Sequence, residues 1–148
     1  MSEVSTTITT LEGYLRALEF LKRVERKVDS FNYLLDPGKG KTEVVRVDDG
    51  FVYLIDEVRV STDPLWGVSF RFSLDDKKVV DVKKVHPSLT YEPLKFAFYP
   101  ITIGYAFRIE NGNSVEARVA VEVVYYRVDK TLYEEEIVPV AKKLTGVS

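Results

Sequence analysis

The side chains able to do chemistry are few, and their types exclude more than they offer. The chain has 148 residues, one histidine (His86) and no cysteine. A cupin-type metal site needs several histidines; thiolate zinc sites, disulfides and cysteine nucleophiles need sulfur the chain lacks. His86 precedes Pro87 in a strand-breaking stretch, where a surface histidine is the ordinary reading. A Ser-His-Asp triad would have to use it, and no nucleophile elbow accompanies it. Carboxylates remain. Asp48, Asp49, Asp56, Glu57, Asp63, Asp75 and Asp76 fall at strand ends and turns. Oxygen-rich loops can hold calcium, and two separated carboxylates can hydrolyse a glycoside. Turn aspartates more commonly accept backbone N–H bonds of the turn itself. Gly40-Lys41-Thr42 matches the end of a phosphate-binding loop, but Leu35 stands where the first glycine belongs and a helix is expected before it instead of a strand. The expectation is a protein that is not an enzyme and carries no cofactor and no metal.

Aromatic side chains offer the one binding surface with physical content. Trp66 lies in a loop between Pro64 and Gly67, and Tyr91 and Tyr99 flank another irregular stretch. Flat rings at a sandwich edge can stack on glycans or anchor a protein partner. The alternative is that Trp66 plugs one end of the sandwich.

The elements that must position these residues follow from periodicity. From Pro100 to Asp129 two long strands read around Asn111-Gly112-Asn113. Ile101, Ile103, Tyr105, Phe107 and Ile109 alternate with polar residues, as do Val115, Ala117, Val119, Val121, Val123 and Tyr125. Matching the oily faces puts Ile109 opposite Val115 and Phe107 opposite Ala117, which predicts a hairpin with a three-residue loop. Beyond Val123 both faces are apolar (Val124, Tyr126, Val128), so that end should be covered on two sides. Asp48-Asp49-Gly50 predicts a second hairpin between 43–47 and 51–60. Strands are also expected at 68–74, at 78–85 as a lysine-rich edge, and from Leu94 through Phe96 and Phe98 to Pro100. The segment 132–144 reads as a last edge strand or an arm.

Residues 11–31 have helical spacing, with Thr9 and Glu12 as a capping box. Tyr14, Ala17, Leu21, Val24, Val28 and Phe31 form a heptad seam, widened by Leu11, Leu15 and Leu18, and suggest a helix that joins subunits. The resulting organisation is an N-terminal amphipathic helix (1–35), a Pro/Gly/Lys hinge (36–42) and a mainly β domain (43–148). That domain is expected to be an antiparallel jelly-roll-like β-sandwich of seven or eight strands.

Composition narrows the partners. A formal net charge of −2, with basic and acidic residues interspersed, argues against nucleic acid. The longest apolar run is Phe51 to Ile55, too short to span a membrane, and the N-terminus has neither the basic start nor the apolar core of a signal peptide. Glutamine is absent and asparagine occurs three times, a depletion that points to a source in a very hot environment.

A helical segment, a Gly/Lys hinge and an all-β head resemble small virion proteins of phages and archaeal viruses, such as head fibres, capsid decoration or turret components. Phe107-Arg108-Ile109-Glu110-Asn111, then Val119 to Val123 and Tyr125-Tyr126-Arg127, are similar to the closing strands of virion-associated sandwiches. The resemblance implies a structural or adhesive homo-oligomer, a trimer by the symmetry of fibre and turret proteins. Its partners would be itself, other virion proteins or glycans, with the virion as its location, or the cytoplasm if the chain is not viral. The competing expectation is a carbohydrate-binding sandwich using Trp66 and neighbouring tyrosines.

Overall fold

The computed structural model describes residues 8–64, 66–82 and 93–145. Eight strands form two antiparallel four-stranded sheets. The front sheet has the order β1 (Glu25–Leu35), β8 (Ala117–Asp129), β3 (Phe51–Asp63), β6 (Leu94–Ile101). The back sheet has the order β2 (Gly40–Arg46), β7 (Gly104–Asn111), β4 (Val68–Leu74), β5 (Lys78–Val82). The pairings nest: β1 with β8, β2 with β7, β3 with β6, β4 with β5. Only β4–β5 is a hairpin; every other connection passes from one sheet to the other.

Alternation sets the faces as expected within the strands, but Ile103 and Val115, expected inward, lie in the connecting turns and are exposed. Tyr105, Phe107 and Ile109 of β7 and Val119, Val121 and Val123 of β8 are buried in one core between the sheets. The pairing differs from expectation. β7 and β8 are not a hairpin, because β7 lies between β2 and β4 and β8 between β1 and β3. Their oily faces meet across the sandwich, which satisfies the same parity as lateral pairing would. Asp48-Asp49-Gly50 likewise turns between sheets and closes no hairpin.

The predicted helix over 11–31 is too long. The helix α1 spans Leu11–Phe20, and its N-cap is Thr10, whose hydroxyl accepts from Gly13 N at 3.0 Å. Lys22 adopts φ 60°, which breaks the helix, and Glu25–Leu35 is β1. There Asp29, Phe31, Tyr33 and Leu35 alternate inward, so of the two seam residues on this strand Phe31 faces the core and Val28 faces out. Residues 36–39 form the turn into β2, where Lys39 N donates to Asp36 O (3.0 Å), and the expected hinge residues Gly40, Lys41 and Thr42 already belong to β2.

The tail is neither strand nor arm. Asp129 caps a helical segment by accepting from Thr131 N and Leu132 N, and the chain runs through α2 (Lys130–Leu132), one π turn (Tyr133–Ile137) and α3 (Val138–Thr145). Pro139 accounts for the irregular turn, since it has no N–H and its ring crowds the preceding carbonyls. This segment and α1 cover one end of the front sheet's outer face. Leu15, Leu18, Leu132 and Ile137 close over Val52, Leu54, Tyr126 and Val128, so both faces of β8 are indeed covered there. Arg23 locks the two helical segments together through Glu136 (2.6 Å).

Two irregularities let one strand serve both layers. The β3 register shifts between Ile55 and Glu57, so Tyr53 and Ile55 face the core before it and Val58 and Val60 after it. In β6, Ala97 and Phe98 have φ 52° and 61°. Phe96 therefore enters the sandwich core while Phe98 packs toward the helices, where simple alternation had put both on one face.

Candidate functional site

Among the described residues no helix covers the outer face of the back sheet, and its side chains fall into rows set by the register. Val44, Ala106, Ser73 and Val79 lie opposite one another across all four strands. Val44 is 66% exposed, and Val79 and Ile103 are also exposed. Ile103, Val44, Ala106 and Ser73 border a cavity of about 110 Å³. Ile103 is held out by Asp75, whose carboxylate accepts from Thr102 N (2.9 Å), Ile103 N (2.8 Å) and Gly104 N (2.9 Å). Gly104 is required in that turn, since a Cβ would sit 2.3 Å from Val45 O. Charges of both signs are interleaved on the face: Arg108 bonds Glu110 (2.7 Å) on β7, and Arg71 of β4 stands opposite Asp81 of β5.

At the far end of the sandwich one buried amide ties three crossings together. Asn111 Nδ2 donates to Leu35 O (3.0 Å) and Val115 O (2.9 Å), and its Oδ1 accepts from Asn113 N (2.9 Å). Asn113 Nδ2 in turn donates to Trp66 O (2.8 Å). Trp66, 55% exposed, is thus displayed from a braced loop and does not plug the sandwich.

Of the aromatic residues singled out from the sequence, Trp66 and Tyr99 lie far apart. Tyr99 is half-buried against the core with Lys78 Nζ 5.4 Å from its ring centroid. Lys78 pairs with Leu74 at one end of β4, whereas Trp66 precedes Val68 at the other, roughly 20 Å away at a strand's rise per residue. Tyr91 and His86 lie outside the described residues.

The heptad seam is dispersed among other tasks. Val24 is buried with the helices, Tyr14 packs against that cluster, and Phe31 packs against the sandwich core. Ala17 is half-buried on α1. Leu21 and Val28 are exposed, one past the end of α1 and the other on β1. No continuous helical seam exists, because the helix packs on its own front sheet.

Three of the candidate carboxylates, Asp48, Glu57 and Asp75, serve structure. Asp48 accepts from Tyr53 OH (3.0 Å) and Arg127 Nε (3.1 Å). Burial alone would raise the Glu57 pKa, but 2.7 Å bonds from Lys95 Nζ and Arg59 Nε outweigh it and hold the group below the usual carboxylate range. Asp56 is pushed up, chiefly by burial. Among the described residues no group of three or more acidic or histidine side chains could hold a metal. Sequence reasoning missed Asp29, which faces the core from β1 and accepts from Tyr105 OH (2.5 Å) and Tyr125 OH (3.2 Å). Burial and this carboxylate push both phenols far up, so they act as fixed donors. The alternation of Asp29 with Phe31, Tyr33 and Leu35 was the signal for it.

No protein-family model matches the chain, and no curated protein matches it either. No helix among the described residues is long and apolar enough to cross a membrane.

Proposed function

We propose that the chain is a non-enzymatic structural protein that works as a homo-oligomer, a building block of a virion shell, turret or fibre. We read the nested pairing, first strand with last and inward to a single hairpin, as a jelly roll. Capsid proteins, lectins and cupins share that architecture, so it supports the reading without choosing it. The observation that carries it is the bare row Val44–Ala106–Ser73–Val79 with Ile103 beside it. The occupant we assign is a second copy of the chain. Charges of both signs interleave on that face, Arg108 beside Glu110 and Arg71 opposite Asp81, so the apolar row and not a charge gradient would make the contact. Three copies is the number the resemblance implies.

Light scattering of the full chain at high micromolar concentration tests this. The expected mass is a multiple of 16.9 kDa. Val44→Asp with Ile103→Asp should lower it without unfolding, because both side chains are exposed. A mass of one chain for the unmodified protein would overturn the assembly reading.

The source in a hot environment stays part of the proposal. Thermal unfolding is expected above the ~45–65 °C typical of ordinary domains. Calorimetry giving a midpoint inside that range would remove it.

A further inference from the structure

Beyond the helices, no described residue covers the front sheet's outer face, which is hollowed. Two adjoining cavities, of about 470 and 280 Å³, run across β1, β8 and β3 and share Asn32, Ser61 and Ala120. The register explains the hollow. Asn32, Ala120 and Ser61 are opposite one another and short. The row on one side is Leu34, Arg118 and Asp63, and the row on the other is Ser30, Glu122 and Arg59. Rows on one face stand roughly 7 Å apart, so longer side chains wall a trench whose floor is Ala120. The larger cavity falls in the ~300–1,000 Å³ range of small-ligand sites.

The lining fixes the ligand class. Arg118 and Arg59 are balanced by Asp63 and Glu122, so the groove presents no net charge to a phosphate polymer or a highly charged peptide. It presents an amide, hydroxyls, carboxylates and guanidinium groups in alternation. Planar groups with two donors or two acceptors can bridge neighbouring hydroxyls of one sugar ring. Arg59 is already oriented by Glu57 at 2.7 Å. Leu34, 57% exposed, supplies an apolar contact for the ring's C–H face.

We propose that this groove binds a neutral oligosaccharide, lying across the three strands over Ala120. The site is separate from the back-sheet face and does not depend on the chain forming oligomers. It is also separate from Trp66, which does not line it.

The test is an NMR titration of the ¹⁵N-labelled full chain with maltohexaose, cellohexaose, mannohexaose and a heparin-derived hexasaccharide. At least one neutral probe should shift amides of residues 30–34, 59–63 and 118–122, with a Kd below about 5 mM. Ala120→Trp, which fills the floor from an outward position, should weaken that binding at least about tenfold, roughly 1.4 kcal/mol. Asn32→Ala should do so by a similar factor. Each variant is checked for an unchanged thermal midpoint, and Ala120→Leu replaces Ala120→Trp if the larger side chain unfolds the domain. Silence from every neutral probe overturns the proposal. So does binding indifferent to the groove variants but abolished by Trp66→Ala, which would place the sugar on the loop. Tighter binding of the heparin fragment than of every neutral probe overturns the ligand class.

Discussion

Phe107→Asp unfolds the domain, while Arg108→Asp, one residue away, costs under about 1 kcal/mol. Phe107 is 2% exposed at the centre of the sandwich. Its ring meets Phe31 at 5.1 Å, Phe70 at 5.9 Å and Tyr33 at 6.4 Å between centroids. Emptying such a site costs about 3–5 kcal/mol, and a carboxylate placed there must also be desolvated or protonated. Together these reach the roughly 5–15 kcal/mol that holds a whole domain together. Arg108 points the other way and bonds Glu110 (2.7 Å) and Thr42 (2.9 Å) at the surface. Urea unfolding of the two variants checks the contrast. Equal damage would mean that the faces of β7 are misassigned.

Deleting residues 1–36 also abolishes folding. From the sequence alone the expectation is the reverse: if 11–31 is a detachable helix, the strands that follow carry their own core. In the structure the deleted segment contains all of α1 and β1. It removes Phe31, Tyr33 and Leu35 from the sandwich, and Leu15, Leu18 and Val24 from over Val52, Leu54, Tyr126 and Val128. Six such side chains at about 1.5–3 kcal/mol each exceed or equal the stability of an ordinary domain. The truncated chain should show a collapsed amide spectrum without dispersed peaks. A dispersed spectrum would show that the helix layer and β1 are dispensable. Leu15→Ala in the full chain is the milder companion, expected to cost about 2–5 kcal/mol.

What could be read from residues alone was orientation, and what could not was neighbourhood. Alternation of Phe70, Phe72 and Leu74 or of Tyr105, Phe107 and Ile109 states which side chains face inward. It does not say which strand lies alongside. An oily face is satisfied equally by a partner in the same sheet and by one across the core, so β7 and β8 looked like a hairpin. Residues 24–31 failed for a different reason. Val24, Val28 and Phe31 fit a helical spacing, and the break at Lys22 carries no glycine or proline to announce it. The tail read as an edge strand or an arm because Ile137, Val138 and Val140 are β-branched, yet the chain is helical through Pro139. Trp66 stood out as the single tryptophan in a turn-rich loop, but the groove over Ala120 was invisible. It exists only once Asn32, Ala120 and Ser61, far apart in the chain, are brought level by the register.

The nested pairing has a consequence for how the chain reaches this state. Glu25 and Arg127, joined at 3.3 Å, are 102 residues apart. As the chain emerges during synthesis, β1 has no partner until β8 follows, and β2 none until β7. Only β4 and β5 can pair at once. The expected route starts at that central hairpin and closes outward, and topologies of this kind fold in milliseconds to seconds, slower than helical bundles of equal stability. Until β8 arrives, β1 exposes an unsatisfied ladder edge. Its run of Glu25, Arg26, Lys27 and Asp29 then acts as a guard, since charged side chains disfavour pairing with a neighbouring nascent chain.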